Sequence, residues 1–145
     1  MIAQDEDCHI VNTASAAGLI PAAAEGAYAA TKHAVVGLSS TLRVEAEAFG
    51  VRVSVVCPGL VDTPILGSTK YVGFDSNALV NISPQKPIEP VKAAKAILRG
   101  VAKNDFYIVL TATVHALWRV NRFLPKTSLK LHRIAIRQFR KARTD

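Results

Sequence analysis

The chain has 145 residues, half of them hydrophobic, with a mean hydropathy of +0.22, which excludes a disordered chain and allows one domain with a real core. No apolar run reaches membrane-span length, the opening Met1-Ile2-Ala3-Gln4-Asp5-Glu6-Asp7 is no signal peptide, and two cysteines, Cys8 and Cys57, make no disulfide framework. The expected setting is reducing and cytoplasmic. The net charge of +7 is unevenly placed: residues 1–118 carry nine Lys/Arg against ten Asp/Glu, and residues 119–145 carry nine against one. The basic character therefore belongs to the tail.

In chain order, residues 1–7 read as the frayed end of a helix or loop, and residues 9–14 as a short buried strand centred on Ile10 and Val11. Residues 18–26 form an Ala/Gly loop containing Pro21. A helix is predicted over 27–49, stopping at Gly50 as a left-handed cap. Val35, Leu38, Leu42 and Ala46 give it an apolar stripe, and Ala34, Gly37 and Ser40 give small, close-packing positions. Residues 51–57 are apolar almost throughout, as in a parallel strand covered on both faces. Pro58-Gly59 turns the chain at that strand's carboxyl end, where open α/β sheets bind ligands. Residues 64–87, with Pro64, Tyr71, Phe74 and Pro84, read as a loop with at most one short helix. A helix follows over 90–101, with Glu89 at its positive end and Val91, Ala94, Leu98 and Val101 inward. A last strand covers 105–110. The tail, 111–145, reads as two helices broken at Pro125. The fold class is α/β.

The chemistry concentrates in residues 15–32. Tyr28 and Lys32 stand at i and i+4 on one helical face. A lysine ammonium beside a phenol favours the phenolate and draws a tyrosine down from about 10 toward working pH. Such a tyrosine can exchange a proton with an alcohol or carbonyl oxygen. Ser15, on the loop after the first strand, can hydrogen-bond the same oxygen. The plainer readings are a loop serine capping local backbone, a packed aromatic and a solvated lysine. Asn12 is expected to tie the strand end to its neighbours, and His33 to point off this face. His9, His115 and His132 lack metal-ligand spacing, so no metal site is assigned.

Ser15, then Tyr28-Ala29-Ala30-Thr31-Lys32 thirteen positions later, then Pro58-Gly59-Leu60-Val61-Asp62-Thr63, resembles the C-terminal half of a short-chain dehydrogenase/reductase. The resemblance covers residues 2–110. The basic helical tail over 111–145 is read from its own charge and periodicity, whereas the resemblance implies a partial Rossmann-like, doubly wound parallel sheet over 1–110. It also implies NAD(P)-dependent hydride transfer on an alcohol or ketone, with Tyr28 as acid/base, Lys32 tuning it and holding the nicotinamide ribose, and Ser15 positioning the oxygen. Pro58, Gly59, Val61 and Thr63 would meet the nicotinamide end. Helix 27–49 would pair between subunits of a homo-oligomer, and residues 64–87 would close over the substrate; the apolar content of that loop and Trp118 point to a hydrophobic alcohol. The family's glycine-rich phosphate turn, and its residue choosing NAD or NADP, have no counterpart among these 145 residues. The expectation is therefore a piece of a longer enzyme, inactive alone. The rival reading is a non-catalytic module with a dimer-forming helix and a partner-binding tail.

For that tail, Lys130, Arg133, Arg137 and Arg140 fall on one helical face, and Leu129, Ile136 and Phe139 on another. A solvated or oligomer-contacting surface and attachment of 126–143 to an anionic membrane both stay open. Nucleic acid is disfavoured, because no recognised motif accompanies the charge.

Overall fold

The computed structural model describes residues 1–4, 6–23, 25–65 and 86–139. Three strands, β1 (His9–Thr13), β2 (Arg52–Cys57) and β3 (Tyr107–Val109), form a parallel sheet in the order β1-β2-β3. Register runs from His9 opposite Arg52 to Thr13 opposite Val56, and from Val55 opposite Tyr107 to Cys57 opposite Val109. As its nearly continuous apolar run predicts, β2 is the central strand: Val53, Ser54, Val55, Val56 and Cys57 are all buried. Among the described residues four α-helices accompany the sheet: α1 (Gly26–Glu47), α2 (Pro90–Ala102), α3 (Ala112–Phe123) and α4 (Pro125–Phe139).

Alanine-rich α1 runs 22 residues on favourable propensity and packs on β1 and β2. It ends through Gly50, which sits at φ +69°, and Val51 N–H donates to Ala46 O as the chain turns into β2. The Arg43 guanidinium donates to Val53 O at 2.7 Å and to Asn104 Oδ1 at 2.6 Å, clamping α1 to β2 and to the turn before β3. Glu89 caps α2 as expected, its two carboxylate oxygens accepting from Val91 and Lys92 N–H. Thr111 caps α3, and Pro125 is the first residue of α4, where its missing N–H costs nothing.

Two predicted faces are corrected. On α1, Leu38 is 65% exposed and Ala34 and Gly37 also face outward, while Val35, Val36, Ser39, Leu42 and Ala46 turn inward. On α2, Val91 and Leu98 are 57% and 67% exposed and Ala94 is exposed. The buried contacts there are Ala93 and Gly100. Gly100 lies flat on Ile108, whose side-chain carbons stand 2.8–3.0 Å from where a Cβ would be. Small residues, and not the bulkiest aliphatics, set the approach of this helix to β3. The loop expected over 64–87 lies, for 66–85, outside the described residues, as does Arg140.

Candidate active site

β1 delivers the chain into a compact turn, Ala16–Gly18, with Ser15 as its N-cap. Ser15 has extended backbone, φ −171° and ψ 165°, and its Oγ accepts from Ala17 N–H at 3.2 Å. Among the described residues the hydroxyl proton and a second lone pair have no further partner. The same turn is bolted to the end of β2. Ala14 N–H donates to Val56 O at 2.8 Å, Ala16 N–H to Pro58 O at 2.6 Å, and Ser15 N–H to the Cys57 thiol. Ser15 and the Pro58-Gly59 turn are thus brought together at the carboxyl edge of the sheet, where such sheets bind ligands. Burial pushes the Cys57 thiol up to about 12, the Ser15 contact opposing this only in part, so Cys57 is inert support.

Tyr28 is the third residue of α1 and is 46% exposed. Lys32, one turn on, places its Nζ 5.5 Å from the centre of the Tyr28 ring and donates to Thr13 O at 3.3 Å. The lysine therefore bridges the phenol and the end of β1, two residues before Ser15. Thr31 Oγ donates back to Tyr28 O at 2.7 Å, closing the first turn. Glu25 precedes the helix, and burial raises its carboxyl above the ordinary value. His33 is exposed and bonded to Ala29 O, away from this group as expected.

Past Pro58, residues 60–62 are held by Ile88. Val61 bridges Ile88 in parallel, Asp62 N–H donates to Ile88 O, and Ile88 N–H donates to Leu60 O, each at 2.9 Å. The Thr63 hydroxyl meets Val61 O at 3.5 Å, the limit of a hydrogen bond.

Three supports were not legible as functional in the sequence. Gly18 lies against α1 so closely that a Cβ there would stand 2.6 Å from Lys32 O. Asn12 Nδ2 donates to Ser39 Oγ at 3.0 Å, and that fully buried hydroxyl donates to Val35 O at 2.7 Å. Asn12 thus ties the strand to the helix carrying Tyr28 and Lys32. Asn121 on α3 donates to Leu19 O at 3.0 Å, in the turn after Ser15, while its Oδ1 accepts from buried Ser128. The glycine carried a local signal by its place between a strand and a helix, and Asn12 was expected to tie the strand end to neighbouring backbone, whereas its partner is the Ser39 side chain.

Among the described residues, no cluster of His, Cys, Asp and Glu could hold a metal ion. The residues present fit the nicotinamide end of a dinucleotide. Lys32 retains ammonium protons beyond the Thr13 bond, and the Thr63 hydroxyl is only weakly engaged.

The family model described as short chain dehydrogenase matches residues 1–71. The chain is 36% identical over 104 residues to 1-deoxy-11-beta-hydroxypentalenate dehydrogenase of Streptomyces avermitilis, spanning 72% of this chain and 36% of that one. It is 46% identical over 61 residues to 15-hydroxyprostaglandin dehydrogenase [NAD(+)] of Mus musculus, spanning 41% and 23%. The solved short-chain dehydrogenase/reductase from Burkholderia phymatum, in complex with NAD, superposes with a TM-score of 0.71 at 28% identity, covering 91% of this chain and 51% of that one. The chain thus spans about a quarter to a half of the proteins it matches.

Proposed function

Because the chain belongs to the short-chain dehydrogenase/reductase family, we propose that residues 1–110 form the carbonyl-handling, C-terminal half of an NAD- or NADP-dependent oxidoreductase acting on a hydrophobic alcohol or ketone. The helices of the tail, Ala112–Phe123 and Pro125–Phe139, meet that half through the bond from Asn121 to Leu19 O. The observation that carries this reading is the bridge made by Lys32 between the Tyr28 ring and Thr13 O, beside a serine locked to the Pro58 turn.

In the oxidative direction, the Tyr28 oxygen accepts the hydroxyl proton of the alcohol as the carbon–oxygen bond becomes a carbonyl; in reduction Tyr28 returns it. Ser15 donates its hydroxyl proton to the same oxygen and fixes its position. The Lys32 ammonium offsets charge that develops on the phenolic oxygen and offers its remaining protons to ribose hydroxyls. A bound nicotinamide supplies the hydride acceptor or donor. The backbone at Val61, held by Ile88, and the Thr63 hydroxyl present hydrogen-bonding groups to its carboxamide end, with Pro58 and Gly59 forming the turn that leads there. Support for a hydroxylated substrate comes from the names of the hydroxypentalenate and hydroxyprostaglandin dehydrogenases.

The 145 residues carry no glycine-rich phosphate turn, on which dinucleotide affinity largely rests. Titration of this chain with NADH and NADPH, followed by fluorescence, is expected to show no saturation. Saturable binding near micromolar would overturn the division of labour between the two halves.

A second reading is favoured by one observation. The outward face of α1, with Ala27, Ala30, Ala34, Gly37, Leu38 and Val44, is exposed, and a Cβ on Gly37 would meet nothing within 4 Å. We propose that this small-residue face pairs with its copy in a homo-oligomer. Sedimentation equilibrium should show a dimer that V44K abolishes.

A further inference from the structure

The tail helix presents more than a solvated surface. On α4, Lys126, Lys130, Arg133 and Arg137 form one exposed row. At 100° per residue they span about 60° of the helix, turned away from the side where Ser128 bonds Asn121 of α3. Aliphatic side chains flank this row on both shoulders. Leu129 and Ile136 lie on one, 53% and 44% exposed, and Ile134 and Leu131 lie on the other, 59% and 44% exposed. Phe123, the last residue of α3, and Leu124, the connector before α4, are 76% and 57% exposed, and α3 carries exposed Arg119 and Arg122. From residue 106 to residue 144 there is no acidic residue. The cations at 126, 130, 133 and 137 are i,i+3 and i,i+4 neighbours, so the row repels itself and nothing on its own helix relieves it.

We propose that this face binds the surface of an anionic lipid membrane, the row meeting lipid phosphates and carboxylates while Phe123, Leu124, Leu129 and Ile136 enter the headgroup–acyl boundary. Charge complementarity selects an anionic partner. The exposed aliphatics select a lipid one, because a nucleic acid backbone gives leucine and isoleucine nothing to enter. A second copy of the same face is opposed by like charge.

The test is co-sedimentation of the 145-residue protein with vesicles of phosphatidylcholine alone or with 30% phosphatidylserine, at 0.1 M salt. Partitioning to the anionic vesicles should be at least tenfold higher, falling steeply by 0.5 M salt. Replacing Lys126, Lys130, Arg133 and Arg137 by Gln should lower it at least a hundredfold. Replacing Leu129 and Ile136 by Ser should lower vesicle partitioning about tenfold while leaving retention on a heparin column unchanged. Failure of the wild-type chain to sediment with anionic vesicles would overturn the proposal, a result that needs no variant to fold. So would Leu129/Ile136 variants that sediment unchanged, since the face would then be a general polyanion binder.

Discussion

The inward side of α1 is wired to the sheet. Lys32 reaches Thr13 O, Ser39 links Asn12 to the helix backbone, Arg43 spans to β2 and the turn before β3, and Gly18 touches the Lys32 carbonyl. On the outward side Ala27, Ala30, Ala34, Leu38 and Val44 are exposed, and among the described residues a Cβ on Gly37 would meet nothing within 4 Å. The two sides are almost equally apolar. Hydrogen bonds and the absence of a Cβ, and not hydrophobicity, therefore decide which side is core and hold Tyr28 and Lys32 at the sheet's edge.

The contrast can be broken from the inside first. In the protein that joins these residues to a glycine-rich half, Tyr28→Phe should lower kcat a thousandfold or more, with dinucleotide binding changed less than about threefold. Substantial residual turnover would remove Tyr28 from its role. Gly18→Ala should destabilise the chain by about 1–3 kcal/mol, because its methyl meets rigid backbone. Urea denaturation measures this, and an unchanged midpoint would show that α1 can retreat. Cys57 lies in the same buried cluster as Val35 and Val36, and its thiol is raised from 9.0 to about 12. The folded state then holds a proton that the unfolded state releases, so stability should fall as pH rises from 9 toward 12, by roughly 1.4 kcal/mol per unit. The difference between the wild-type chain and Cys57→Ala isolates that slope. Ser39→Ala leaves the Asn12 amide without its partner and should cost about 1–2 kcal/mol. On the outside, Leu38→Glu should shift stability by less than about 0.5 kcal/mol and act only on association. A larger loss would mean that the outward face is core after all.

The order strand, serine, tyrosine helix, strand, Pro-Gly turn was legible because each element has its own local signature. The alternating elements, the Gly50 cap, the Glu89 cap and the break at Pro125 each rest on chemistry within a few residues. The faces of α1 and α2 were not. In both helices apolar residues cover more than half the circumference, and the choice falls to small residues such as Gly100 whose worth depends on Ile108 across the gap. Asn12 and Ser39, and likewise Asn121 and Leu19, are 27 and 102 residues apart. No spacing rule links such pairs, so a buried hydroxyl on a helix and an amide in a tail read as ordinary polar residues. The role of Lys32 was readable as charge beside a phenol, but its tie to Thr13 required the fold.

The bond from Asn121 to Leu19 also sets a schedule. The turn that carries Ser15 is made early in synthesis, whereas its last support arrives 102 residues later. At ribosomal rates of about 5–20 residues per second, that is a delay of roughly 5–20 s. During this interval the Leu19 carbonyl lacks its partner, and the α1 and β2 contacts hold the turn alone. The site's final rigidity is then acquired as a late docking event, separable in time from formation of the sheet.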